Sequence, residues 1–195
     1  MLCPKSRDGE LLPKVPATAD RPPLRPCPQD GGWWIDGEDY REWQQAAPTA
    51  LPEGGLVEGE VTAGFTVPPG DEKAGLCPEC GRILSRVRVP VGDRGFYLER
   101  CATCNGIWCD RGEWEWLVAL GLTRHIPYLF SGRWQAQLRE RQRLQHEKQT
   151  LRAALGQPLA DRLLTVLAEL EAHPHREMAL NYLLQGLRRE EHLHG

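Results

Sequence analysis

The sequence lacks the features that mark membrane-spanning and secreted proteins. Its 195 residues contain no uncharged apolar run long enough to cross a bilayer, and no basic N-terminal region precedes an apolar stretch. These absences argue against a transmembrane helix and a signal peptide, so we expect a cytoplasmic protein without a membrane partner. A reducing cytosol also keeps thiols free to bind metal, which suits the seven cysteines of the chain.

Patterns typical of enzymes and of nucleic-acid-binding proteins are also scarce. The sequence contains no nucleophile–base–orienter set, no glycine-rich phosphate loop and no open metal constellation, so we do not expect an enzyme. The formal net charge of −3 provides no overall attraction to nucleic acid. Charge is nevertheless uneven, because an acidic stretch at 28–75 is followed by a basic one at 133–157.

Four cysteines form two pairs separated by twenty residues: Cys77 with Cys80, and Cys101 with Cys104. Two cysteines three positions apart, with a turn between them, can direct both sulfurs at one ion. Gly81 and Gly106 follow the pairs, where a tight turn would need a positive φ. The spacing predicts one structural Zn²⁺ per chain, held by four sulfurs with no position left for water or substrate.

The motifs around these cysteines carry a family resemblance. Cys77-Pro-Glu-Cys80, Cys101-Ala-Thr-Cys104-Asn-Gly-Ile-Trp108 and Asp110-Arg-Gly-Glu113 together resemble the transcription-factor-IIB-type zinc-finger family of small bacterial proteins, over 76–118. The resemblance implies a zinc ribbon whose four cysteines are ligands, and it implies little about activity. Asn105 and Trp114 replace a more usual glycine and leucine, which changes surface and packing without affecting the metal site.

The first forty-odd residues look like a second copy of the same unit. Sliding the chain by 74 residues aligns rare residue types without a gap, including Cys3 with Cys77, Cys27 with Cys101, Gly32 with Gly106 and Trp34 with Trp108. Residues 2–43 are therefore predicted to be a degenerate zinc-ribbon-like repeat.

The metal site of this first copy is incomplete, because Ser6 and Asp30 stand where Cys80 and Cys104 stand in the second. We expect the first copy to have lost its zinc and to keep its shape through the packing of its aromatic residues. In one alternative, Cys3, Cys27 and Asp30 hold a metal with a fourth ligand such as Asp8 or water. In another, Cys3 and Cys27 form a redox pair.

The local patterns predict a small α+β fold. A β-hairpin is expected over 82–100, a short strand at 107–109 and a helix over 111–120 that begins with a capping box between Asp110 and Glu113. Three helices are expected beyond Ser131. The predicted domains are a degenerate repeat at 1–45, a Pro/Gly-rich acidic linker at 46–75 containing a possible strand, the zinc ribbon at 76–122 and an α-helical region at 123–195.

These features favour a non-enzymatic zinc-binding adaptor with a macromolecular partner, either a nucleic acid or a transcription-related protein. The helical region is a candidate for homodimerisation. A nucleic-acid surface would combine phosphate contacts and base stacking from hairpin residues, namely Arg82, Arg86, Arg88, Arg94, Arg100, Phe96, Tyr97 and Trp108. The alternative is a redox- or zinc-responsive thiol protein that oxidises at Cys3, Cys27 and Cys109.

Overall fold

A computed structural model describes residues 1–6, 8–50, 64–92 and 94–191, with side chains as far as residue 186. The described residues form a small α+β structure with five strands and six helices. The chain divides into two compact units, Met1–Gln135 and Ala136–Gly195. Val57 and Val61, which belong to the possible linker strand, lie outside the described residues.

The strands are short except for the central hairpin: β1 (Arg25–Pro26), β2 (Trp33–Ile35), β3 (Ser85–Val91), β4 (Arg94–Arg100) and β5 (Ile107–Cys109). The helices are α1 (Gly37–Ala46), α2 (Glu113–Ala119), α3 (Ile126–Leu129), α4 (Gly132–Leu155), α5 (Gln157–Glu171) and α6 (Arg176–Glu191). The predicted hairpin and third strand are thus present, whereas α3 was not predicted.

All five strands belong to one antiparallel sheet in the order β1-β2-β5-β4-β3. β3 and β4 pair from Ser85 opposite Arg100 to Val91 opposite Arg94. β2 pairs with β5, so that Trp34 lies directly opposite Trp108. Strands from the two predicted copies therefore share one sheet, and the division into two separate ribbon units stays a prediction.

Each face of the sheet covers its own core, because successive side chains of a strand point to opposite faces. The larger core contains Ile35, Ile107 and Cys109 of the strands, together with aromatic residues of α1 and α2. Trp43 of α1 and Trp114 of α2 meet there with ring centroids 5.9 Å apart.

The second core is built around sulfur and indole groups. It contains Cys3, Cys27, Cys77, Cys101, Trp34 and Trp108, packed with Leu11 and Leu84. Both predicted cysteine clusters therefore adjoin the same pair of tryptophans.

Only one half of the predicted capping box between Asp110 and Glu113 forms. Glu113 Oε2 accepts a hydrogen bond from the Asp110 backbone N–H at 2.9 Å, as predicted. The Asp110 carboxylate does not cap α2, whose N-cap is Gly112. It accepts instead from the indole N–H of Trp108 at 2.8 Å, because the left-handed backbone of Gly112 turns the chain before the helix begins.

Part of the predicted linker packs on the sheet. Phe65 is buried, and its ring lies 5.1 Å from that of Trp116. Asp71 is also buried, and its carboxylate accepts a hydrogen bond from the Tyr97 backbone N–H at 2.6 Å. Residues 64–75 therefore contribute to the unit Met1–Gln135.

The unit Ala136–Gly195 consists of most of α4 with α5 and α6. An ion pair between Arg152 of α4 and Asp161 of α5, at 2.8 Å, joins two of its helices. None of the helices among the described residues has the length and apolar character needed to cross a membrane.

Candidate metal centre

The four predicted zinc ligands come together at one site. The sulfurs of Cys77 and Cys104 lie 3.4 Å apart, those of Cys80 and Cys101 lie 3.5 Å apart, and all four lie within 4.8 Å of one another. A tetrahedron with Zn–S bonds of about 2.3 Å has edges of about 3.8 Å. The donor set and its spacing therefore fit a structural zinc ion with four thiolate ligands.

Two similar backbone loops position the sulfurs. Cys77 N–H donates to Arg82 O at 2.7 Å, and Cys101 N–H donates to Gly106 O at 2.8 Å. The left-handed residues of these loops are Gly81, at φ 70°, and Asn105, at φ 63°. The expectation of a positive φ at Gly106 was wrong, because Asn105 takes that conformation, which asparagine tolerates better than most residues.

Gly106 has a different role, which is to allow the close approach of an indole. A Cβ atom on Gly106 would lie 2.1 Å from Cζ2 of Trp34. The relation is reciprocal, since a Cβ on Gly32 would lie 2.3 Å from Cζ2 of Trp108. Trp34 Nε1 also donates to Glu79, inside the first cysteine pair, at 3.2 Å. The first forty residues thus support the cysteine site directly.

The electrostatics of the four sulfurs favour a bound cation. Burial opposes ionisation of Cys101, but backbone N–H groups of Cys104 and Thr103 donate to its sulfur and lower its pKa to about 6. Burial raises the pKa of Cys77 to about 11 and raises the pKa of Cys104 as well. A dication would offset the negative charge that four thiolates bring together here.

The sequence reasoning missed a cluster of buried carboxyl groups next to β4 and α2. It consists of Asp71, Glu99, Asp110 and Glu113, with the cations Lys5 and Arg86. Lys5 Nζ lies 2.7 Å from Glu99 Oε1 and 3.3 Å from Asp110 Oδ2. Burial raises the pKa values of Glu99, Asp110 and Glu113. Asp110 and Glu113 belong to a recognised motif, but only the fold shows that Lys5 pairs with Glu99 and Asp110.

The residues predicted for the first copy's metal site also lie together. Sulfur atoms of Cys3 and Cys27 and an oxygen of Asp30 lie within 4.8 Å of one another. Asp8, one suggested fourth ligand, is exposed. Cys109 belongs to none of the candidate metal-binding groups among the described residues. It is fully buried in the larger core.

Burial corrects the predicted nucleic-acid surface. Phe96 and Trp108 are completely buried and cannot stack on bases. Arg86 forms ion pairs with Glu99, at 3.2 Å, and with Asp71. The alternation of arginine with buried valine on β3 is therefore that of a strand with one covered face.

Comparison with known proteins agrees with the four-cysteine site. A family model described as a transcription factor zinc-finger matches residues 76–120, which is less than a quarter of the chain. Searches of curated proteins and of solved structures found no match. Residues 76–120 are therefore a zinc ribbon segment of the transcription factor IIB type.

Proposed function

We propose that the protein is a non-enzymatic, zinc-stabilised interaction protein. The observation that carries this proposal is the donor set of the ribbon, in which four sulfurs within 4.8 Å leave no coordination position for a substrate or a reactive water. A closed site of this kind stabilises a fold. The function then depends on exposed surfaces.

The surface that best suits a macromolecular partner is on α5 and α6. Large apolar side chains stand exposed there: Leu159, Leu163, Val166 and Leu167 on α5, and Met178, Leu180, Tyr182, Leu183 and Leu184 on α6. Exposed apolar groups concentrated on two adjacent helices are typical of protein interfaces. We therefore propose a protein partner, and a second copy of this chain is the simplest one.

Charged substitutions on α5 test this proposal. Leu163→Lys with Leu167→Lys should lower the molar mass measured by light scattering from that of a dimer to that of a monomer, because burying two ammonium groups is costly. Gln142→Lys with Gln149→Lys, at exposed polar positions of α4, is the matched control. An unchanged mass in the α5 variant, or monomeric wild-type protein at micromolar concentration, would refute self-association.

Nucleic acid is the less supported partner, because two of the predicted stacking residues are buried and Arg86 is already paired. Arg82 and Arg94 remain exposed and could still contact phosphate. Arg82→Glu with Arg94→Glu should leave the proposed self-association through α5 and α6 intact. If it abolishes a salt-sensitive affinity for DNA or RNA, nucleic acid replaces protein as the proposed partner.

The thiol-sensor alternative has little support from the geometry. Burial raises the pKa of Cys3 to about 12 and raises that of Cys109 well above its ordinary value. The reactive species of cysteine is the thiolate, which burial disfavours at these two groups. We therefore do not extend the proposal to redox sensing.

A further inference from the structure

Asp30 is the centre of a second group of possible metal ligands. Its Oδ2 atom accepts hydrogen bonds from Cys3 Sγ at 2.8 Å, Ser6 Oγ at 2.9 Å and Cys27 Sγ at 3.4 Å. Cys3 and Cys27 are only 5% and 1% exposed. Two sulfurs, a carboxylate and a hydroxyl thus converge on one partly buried point.

The backbone around this group has the geometry of a metal knuckle. Cys27 N–H donates to Gly32 O at 2.8 Å and Gly31 N–H donates to Cys27 O at 2.8 Å. The corresponding bonds of the intact ribbon link Cys101 with Gly106 and with Asn105 at 2.8 and 3.0 Å. Gly31 has φ 69° where Asn105 has φ 63°. The second loop of the site is therefore preserved in shape.

The first loop also closes tightly on the group. Cys3 N–H donates to Gly9 O at 2.7 Å, which brings Ser6 back over the sulfurs. A Cβ on Gly9 would lie 2.4 Å from Ser6 Oγ and 3.2 Å from Cys3 Cβ. Gly9 is thus packed against Ser6 and Cys3, and this packing holds the hydroxyl beside Asp30.

We propose that Cys3, Cys27 and Asp30 bind a second zinc ion, with the Ser6 hydroxyl as the fourth donor. In a tetrahedral site, edges between sulfur and carboxylate oxygen are about 3.6 Å, so the ion would lengthen the Cys3–Asp30 contact by about 0.8 Å and the Cys27–Asp30 contact by about 0.2 Å. The ion would replace the thiol protons of Cys3 and Cys27, which pass to solvent. Asp30 enters as carboxylate, which is the ordinary state of an aspartate at neutral pH.

The chemistry predicts that this site is weaker than the four-cysteine site. It offers two thiolates instead of four, and a neutral hydroxyl is a poor ligand for zinc. A chelator should therefore remove zinc from the first copy under conditions in which the ribbon retains its metal. This prediction is independent of the proposed interaction function.

Metal counting on the full chain tests the proposal. Reduced wild-type protein equilibrated with excess Zn²⁺ and then desalted should hold about two ions per chain, and Asp30→Asn about one. Asp20→Asn is the matched control, because it makes the same substitution at an exposed aspartate outside the proposed ligand set and should keep about two. Co²⁺ is a second probe: its sulfur charge-transfer absorption should rise in two phases in wild type and in one phase in Asp30→Asn.

A variant that adds a ligand shows whether the loss of zinc in Asp30→Asn could be due to misfolding. Ser6→Cys supplies a third sulfur and should slow zinc release from the weaker site to a chelator by at least about tenfold. Binding of about one zinc per chain by wild type, or formation of a disulfide between Cys3 and Cys27 that zinc does not prevent, would overturn the proposal. Unchanged release from Ser6→Cys would overturn it too.

Discussion

Gly106→Ala probes how the first forty residues support the zinc ribbon. Gly106 does not have a positive φ, so alanine can adopt its backbone conformation without strain. The new methyl group would instead lie 2.1 Å from Cζ2 and 2.5 Å from Cη2 of Trp34. Trp34 is fully buried and cannot swing into solvent. The substitution therefore tests one packing contact.

Inserting a methyl group into a closed core costs about 1–3 kcal/mol, and distances this short place Gly106→Ala near the upper value. Gly32→Ala should cost a similar amount, because its methyl group meets Trp108 at 2.3 Å and the carbonyl oxygen of Cys109 at 2.8 Å. For a unit of this size, about 3 kcal/mol lowers Tm by about 6–12 °C.

The assay is denaturant unfolding of zinc-saturated protein followed by tryptophan fluorescence, since all seven tryptophans lie in the unit Met1–Gln135. Gly132→Ala is the control, because nothing lies within 4 Å of its added Cβ. Trp34→Phe removes the clashing part of the indole and should reduce the cost of Gly106→Ala by about 1 kcal/mol or more. If Gly106→Ala falls within about 0.5 kcal/mol of wild type, the packing argument is refuted.

Three further predictions concern buried polar groups. Because burial raises the pKa of Glu113, the folded state binds its proton more tightly than the unfolded state, and stability falls as pH rises toward the folded pKa. Glu113→Gln should flatten this decline in urea titrations run at pH values rising from about 4.5, the ordinary pKa of a glutamate, and equal slopes would refute the assignment. Tyr40→Phe leaves the Ile126 N–H without its 3.2 Å acceptor and should cost about 1–3 kcal/mol by thermal unfolding, whereas a neutral result would contradict the contact. Cys109 should resist alkylation in zinc-loaded native protein and react only after denaturation, as mass mapping can show; labelling as fast as that of an exposed thiol would argue against its burial.

The sequence predicted the elements whose signals are local. The cysteine pairs, the alternation on β3 and the short strand Ile107–Cys109 each depend on neighbouring residues, and the structure contains all of them. The helices expected beyond Ser131 begin with α4, where the Ser131 hydroxyl accepts a hydrogen bond from Trp134 N–H at 3.2 Å. Such patterns act within a few residues and are visible before folding.

The remaining features depend on contacts between distant parts of the chain. Lys5 enters a carboxyl cluster that includes Glu99, and the pairing of β2 with β5 places Trp34 against Gly106. Nothing near Lys5 in the sequence marks it as a buried cation. The same limitation explains the error at Phe96 and Trp108, because Phe96 is covered by the larger core and Trp108 by the second core, and both cores join distant parts of the chain.

Removal of zinc tests the central claim, that the four-cysteine site holds the unit Met1–Gln135 together. Structural zinc contributes about 10–16 kcal/mol in small finger peptides, which equals or exceeds the net stability of a typical domain. The decisive measurement is the near-ultraviolet circular dichroism of the tryptophans in Cys77→Ser and in chelator-treated wild type, compared with zinc-loaded wild type. If the four thiolates hold this unit together, both samples lose the signal, and wild type regains it when zinc is restored. A native spectrum in metal-free Cys77→Ser would contradict it.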